Sequence, residues 1–257
     1  MTKIIAVANQ KGGVGKTTTS VNLAACLGAL GKKTLLIDVD PQGNATSGVA
    51  IDKRKVKYSS YNLLVDGVKA EQCIIATAYE NLHILPSSLD LAAAELEIVE
   101  LPHREQRLKS GVLSVKQNYD YIIIDCPPSL GLITTNALTF ADTILVPIQC
   151  EYYALEGLSQ LMNSVRRVKR MYNDSLEIEG VLLTMFDARL NLTQQVVQEV
   201  KKFFPRKVFK TVIPRGVRLS EAPSFGMPVI YYDKSCKGSL SYTALAQEII
   251  EKEQQYG

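Results

Sequence analysis

The stretch that most constrains the fold is Lys11-Gly12-Gly13-Val14-Gly15-Lys16-Thr17-Thr18, which follows the apolar run Ile4-Ile5-Ala6-Val7-Ala8 and opens a helical pattern near Thr18. Strand, glycine loop and helix in that order make a phosphate cradle. Without Cβ atoms the glycines let consecutive backbone N–H groups turn onto one anion, and the helix N-terminus adds its partial positive charge. Lys16 is spaced to reach the β- and γ-phosphates of a nucleotide. The Thr17 hydroxyl is the kind of oxygen that Mg²⁺ accepts from protein beside those phosphates. The common loop form G-x-x-x-x-G-K-[ST] would place glycine at Gln10. A second lysine, Lys11, follows instead. It sits too near the loop to fold back onto its own nucleotide, but it can reach a phosphate held by a facing copy of the chain.

Residues 33–38 form a nearly continuous apolar run, as in a strand buried on both faces of a parallel sheet, where polar residues collect at the C-terminal end. Here those are Asp38 and Asp40, followed by the turn residues Pro41-Gln42-Gly43-Asn44-Ala45-Thr46. Phosphoryl transfer leaves a protein little to do beyond orienting the nucleophile and neutralising charge, so Asp40 is the candidate for positioning the attacking water. The competing role for Asp40 is to cap the turn before proline. Tyr119-Asp120-Tyr121-Ile122-Ile123-Ile124-Asp125-Cys126-Pro127-Pro128 is the second nucleotide signature. Its Asp125 is placed to hold Mg²⁺ directly or through water, with Asp40 a second water-mediated candidate, and the loop after it is placed to sense the γ-phosphate.

The rest of the chain fills in an α/β pattern. Strands are expected over 82–86, 143–148, 178–185 and 208–213, and helices over 89–99, 153–171, 196–204 and 239–252. Residues 52–80 carry no functional signal; Asp52-Lys53-Arg54-Lys55 reads as a solvated turn and 61–65 as one short helix. His83 alternates with apolar neighbours and faces solvent, and neither it nor His103 has a metal-ligand partner in the sequence. A chain of 257 residues, 46% hydrophobic and without a linker-like stretch, is expected to be one domain over 1–257. The predicted fold is a P-loop NTPase: a mostly parallel, twisted sheet with helices on both faces.

No apolar run approaches the length of a membrane span, and Lys3 at the mouth of the first strand leaves no room for a signal peptide, so a cytoplasmic protein is expected. Five cysteines without a C-x-x-C pair fit reduced thiols. The net charge of +3 is uneven. Residues 166–218 hold twelve Lys/Arg against five Asp/Glu, an excess of seven that leaves −4 on the remainder. Such a tract suits a polyanionic partner, although charged helix faces are commonly just solvated.

Together, residues 11–18, Asp38-Val39-Asp40-Pro41-Gln42-Gly43-Asn44, residues 120–128, Glu151-Tyr152-Tyr153-Ala154-Leu155-Glu156-Gly157-Leu158 and residues 212–223 closely resemble the ParA/Soj family of chromosome- and plasmid-partition ATPases, within the deviant P-loop class. The resemblance is strongest to the short, Soj-like branch, because the first strand begins at once. It implies an ATP- and Mg²⁺-dependent cycle. ATP closes a sandwich homodimer through Lys11, the dimer binds double-stranded DNA without sequence preference on the nucleoid, and a ParB-type partner stimulates slow hydrolysis and release. By the same resemblance Lys11, Gly12, Lys16, Thr17, Asp40 and Asp125 are functional positions, Met185 and Pro214 border the adenine, and Arg189 and Arg218 contact DNA. Lys201, Lys202 and Arg206 join that set from charge alone.

Three rivals share the phosphate machinery. A membrane-positioning ATPase of the MinD kind needs a basic amphipathic C-terminal helix, whereas residues 244–253 carry more acid than base. An iron–sulfur enzyme of the nitrogenase-reductase type needs a second cysteine to match Cys126. A metabolic ligase or kinase is not excluded, because a phosphate cradle does not define the acceptor.

Overall fold

The structure, a computed structural model, describes residues 1–151 and 158–256. In chain order its elements are β1 (Lys3–Val7), α1 (Lys16–Ala29), β2 (Thr34–Asp38), α2 (Asn44–Gly48), α3 (Ala70–Cys73), β3 (Ile75–Ala76), β4 (Leu82–Leu85), α4 (Leu91–Val99), α5 (Arg107–Val112), β5 (Tyr121–Asp125) and α6 (Leu132–Phe140). There follow β6 (Thr143–Gln149), α7 (Leu158–Met171), β7 (Glu177–Phe186), α8 (Asn191–Phe203), β8 (Val208–Pro214), α9 (Val217–Glu221), α10 (Val229–Tyr232) and α11 (Lys237–Tyr256).

One sheet takes the order β3-β4-β2-β5-β1-β6-β7-β8, parallel except where β3 meets β4. The cause lies in the strands themselves. Alternate residues of β1 and β5 serve two cores: Ile4, Ala6, Ile122 and Ile124 pack beneath α4 to α8, while Ile5, Val7, Tyr121 and Ile123 pack beneath α1 and α11. A strand with no polar face needs cover on both sides, which only helices crossing between parallel strands supply.

Several boundaries differ from the sequence-based expectation for identifiable reasons. Helix α1 starts at Lys16, because Gly15 adopts φ +88° and acts as the N-cap, and it ends before Gly31 at φ +80°. The expected loop after Asp40 contains α2, which begins next to Gly43 at φ +59°. Helix α8 begins five residues early, since Asn191-Leu192-Thr193-Gln194-Gln195 carries a single apolar residue and gives no apolar spacing to read. Helices α5 and α6 lie in stretches where none is expected from the sequence. The helix expected over 153–171 is present as α7 from Leu158; residues 153–157 lie outside the described residues.

Strand β8 ends the sheet, and α11 closes that edge. The Glu248 carboxylate accepts hydrogen bonds from the backbone N–H groups of Lys210 and Thr211, each at 3.0 Å. Burial alone would raise the pKa of Glu248, but these donors hold it below the ordinary value. An open edge strand invites pairing with another chain, so the carboxylate protects as well as stabilises. Glu248→Ala is expected to cost about 1–3 kcal/mol, read as a lower urea midpoint. An unchanged midpoint would remove the edge-capping role.

Candidate nucleotide-binding site

Register brings the site together. Asp125 pairs with both Val7 and Asp38, so the ends of β1, β2 and β5 lie side by side and the glycine loop leaves β1 next to two carboxylates. Gly13 and Gly15 take φ +74° and +88°, conformations that a Cβ would strain. A Cβ on Gly12 or Gly13 would meet nothing within 4 Å, so the concave side of the loop is open to a ligand.

Side chains fix the loop from both flanks. Asn9 Nδ2 donates to the Pro147 carbonyl at 2.7 Å, and Asn9 Oδ1 accepts from the Lys11 N–H at 3.1 Å. Thr184 Oγ1 donates to the Val14 carbonyl at 2.9 Å. Lys16 is 7% exposed, and its Nζ donates to the Lys11 carbonyl at 3.1 Å, folded along the cradle. The Lys11 ammonium instead lies 4.0 Å from the Glu151 carboxylate in an exposed pair. The two lysines therefore occupy different places: one lines the cradle, the other stands on its rim.

The two oxygens of Asp125 accept from Thr17 Oγ1 and Ser20 Oγ, both at 2.8 Å. This is a donor set for a hard cation that takes a hydroxyl and one carboxylate from protein and the rest from phosphates and water. No group of three or more His, Cys, Asp or Glu is arranged to hold a metal among the described residues. Asp40, 7% exposed, does cap the following turn: Oδ1 accepts from the Gln42 N–H at 2.9 Å. Its backbone carbonyl is held by Ser87 Oγ at 2.7 Å. Capping and water positioning are thus compatible, since the cap fixes where the carboxylate stands.

Met185 and Pro214 line one cavity of about 480 Å³ that also touches Gly15 and Thr18, so a base there would be continuous with phosphates in the loop. Met185 has φ +49°, an uncommon conformation for a side-chain-bearing residue and one that clusters at ligand sites. The expected DNA-contact residues divide. Arg189 and Arg218 follow the C-terminal ends of β7 and β8, on the nucleotide side of the sheet. Lys201 and Lys202 end α8, and Arg206 borders a cavity with Lys3 and Thr143 at the opposite, N-terminal edge of the strands. The structure does not bring these three to the two arginines. Sequence reading missed Asn9, Ser20 and Thr184; only Ser20 had a signal, lying three residues after Thr17 on one helix face.

A family profile described as an AAA domain matches residues 2–178. The chain is 61% identical over 249 residues to the sporulation initiation inhibitor protein Soj of Bacillus subtilis, covering 97% of this chain and 98% of that protein. It is 50% identical over 251 residues to the chromosome partitioning protein ParA of Myxococcus xanthus, covering 98% and 89%. The chain belongs to the ParA/Soj family of partition ATPases. A solved structure of cobyrinic acid a,c-diamide synthase from Mycobacterium smegmatis with a bound ATP analog and magnesium superimposes with a TM-score of 0.88 at 33% identity, covering 99% of this chain and 96% of that one.

In this ParA/Soj-type site the charges are out of balance before nucleotide arrives. Burial pushes the carboxyls of Asp38 and Asp125 above their ordinary pKa range, and their proximity to each other and to Asp40 adds to it; hydroxyl donors only partly oppose the rise. Burial pushes Lys16 below its usual value, against the pull of Asp125, Cys126 and Asp40. A carboxyl with a raised native pKa binds its proton more tightly folded than unfolded, so it costs stability as pH rises past the unfolded value. The melting temperature without nucleotide is therefore expected to fall between about pH 5 and about pH 8, while the increment from Mg²⁺ with a non-hydrolysable ATP analogue grows. An increment that shrinks with pH would contradict this arrangement.

Proposed function

We propose that the chain acts as a single unit that couples MgATP to DNA partitioning in the cytoplasm. MgATP fills the cradle, Lys16 and Thr17 grip its phosphates and metal, and Met185 and Pro214 border the adenine. Magnesium there neutralises phosphate charge. Asp125 accepts a hydrogen bond from the Thr17 hydroxyl, so that the hydroxyl oxygen and Asp125 are the groups that would hold the metal, and Asp40, fixed by its own turn, orients the attacking water. The observation that carries the reading is the separation of the two lysines. Lys16 serves the chain's own nucleotide, and Lys11 on the rim is free to exchange its exposed partner Glu151 for a phosphate held by a second copy.

Closing such a homodimer doubles a basic surface. Arg189 is paired through two hydrogen bonds to Asp187, and Arg218 lies 2.9 Å from Glu221 and 3.4 Å from Asp233. Exposed pairs of this kind are worth little, so DNA phosphates can compete for the arginines. Two linked copies bind a polyanion far more tightly than one, because counterion release multiplies and the second contact is intramolecular. ATP thereby switches non-specific DNA binding on at the nucleoid, and a ParB-type partner that stimulates hydrolysis switches it off, segregating a chromosome or plasmid.

Two rivals are disfavoured by particular observations. In α11 the apolar residues Tyr242, Leu245, Ala246 and Ile249 are buried in the core, so the apolar side that a bilayer would need is already covered by protein. No helix of the described residues is long and apolar enough to cross a membrane. A metabolic ligase or kinase is the second rival, because the Mycobacterium smegmatis structure is named a synthase, but the relatives at 61% and 50% identity are named for sporulation and chromosome partitioning.

Lys11→Ala is expected to abolish ATP-dependent retention on DNA while leaving nucleotide binding within about twofold, since the residue touches only the partner's nucleotide. Unchanged DNA retention would refute the role. Arg189→Glu is expected to leave nucleotide binding intact and to flatten the dependence of log affinity on log salt by about 1 for each phosphate that it leaves without a cation. A slope equal to wild type in filter binding would exclude Arg189 from the DNA surface.

A further inference from the structure

The basic run after α2 is not uniformly solvated. Arg54 is exposed and pairs with Asp52, whereas Lys53 turns inward on a short 3₁₀ turn, Lys53–Lys55, in which the Asp52 side chain accepts from the Arg54 N–H. Lys53 Nζ donates to the Gln42 carbonyl at 2.6 Å. Its stem lies against Gly43: a Cβ added there would come within 2.5 Å of Lys53 Cδ, and Gly43 itself takes φ +59°. The same Gln42 residue gives its N–H to Asp40 Oδ1 at 2.9 Å.

One peptide segment thus stands between a cation and the carboxylate read as the water-orienting group. Gln42 is exposed, so without Lys53 its carbonyl would exchange with water and the turn would hold only by its internal bonds from the Gln42 and Gly43 N–H groups to Asp40. A charge-assisted hydrogen bond from a half-buried lysine is stronger than the water contact it replaces. The missing Cβ at Gly43 is what lets the lysine stem come so close. Ser87 holds the carbonyl of Asp40 from the inner side, so Lys53 completes a grip on the turn from two directions.

We propose that Lys53 is a positioning residue for hydrolysis: by clamping Gln42 and Gly43 it fixes the orientation of the Asp40 carboxylate. This rests on the reading of Asp40 given above. A group that only sets geometry acts on the chemical step and leaves substrate affinity alone.

The test is steady-state ATP hydrolysis by the full chain, with the affinity for a non-hydrolysable ATP analogue and the melting temperature measured alongside. Lys53→Met, which keeps the stem and removes the charge, is expected to lower kcat about tenfold with KM and analogue affinity within about twofold, and Lys53→Arg to recover most of the rate. Asp40→Asn should abolish hydrolysis, and adding Lys53→Met to it should change nothing further, because both act through one carboxylate. Unchanged kcat in Lys53→Met beside an inactive Asp40→Asn would overturn the clamp alone; an active Asp40→Asn would overturn the reading beneath it. A fall in kcat that tracks weaker analogue affinity or a lower melting temperature would also overturn the clamp, since it marks general loosening.

Discussion

Everything at this site depends on three aspartates crowded onto adjoining strand ends beside one lysine. Asp38 and Asp125 are fully buried and Asp40 nearly so. Buried charge is costly unless it is paired and hydrogen-bonded. The chain meets part of that cost with hydroxyls: Thr17 and Ser20 on Asp125, and Thr46 on Asp38 through both its N–H and its Oγ1. Lys16 supplies one positive charge. The remaining imbalance favours a divalent cation arriving with a polyphosphate, which places the driving force for nucleotide binding in the unliganded fold itself.

The same strand ends underlie the proposed division of labour between the loop's two lysines. Asn9 and Thr184 hold the glycine loop rigidly against β6 and β7, so the cradle is set before ligand arrives. Lys16 is folded into it, and Lys11, one turn of chain away, stands outside with a weak exposed partner. Under the proposed function, the outward cation is the group that a second copy would meet. Arg189 and Arg218, which follow the C-terminal ends of β7 and β8, are exposed and pair with the half-buried carboxylates of Asp187, Glu221 and Asp233, and Arg218 also lies over the Tyr232 ring; under the proposed function DNA phosphates would compete for them.

How much of this was legible depended on whether position in sequence implied position in space. The glycine loop was readable because its residues are contiguous, and β1, β2 and β5 because strands buried on both faces have no polar alternation to confuse them. Asp125 and Asp38 were readable as strand ends. By contrast, Asn9 and Thr184 act through backbone carbonyls far along the chain, a relation that only register reveals. Lys53 sat in a run of charge that reads as solvated turn, and its distinction from Arg54 is a matter of rotamer. Charge counting grouped Lys201, Lys202 and Arg206 with the two arginines, but α8 carries its last turn to the far edge of the sheet. The threonine-rich α6 goes unread and the start of α8 is placed too late, because packing rather than pattern decides both.

The central claim is that nucleotide, shared across an interface, joins two copies of this chain. Sedimentation equilibrium of a hydrolysis-blocked preparation saturated with MgATP tests it most directly. The expected result is twice the mass of the 28.3 kDa chain, collapsing to the single mass when ADP replaces ATP. A single mass with MgATP at the highest concentration reached would contradict the claim and leave only a nucleotide pocket.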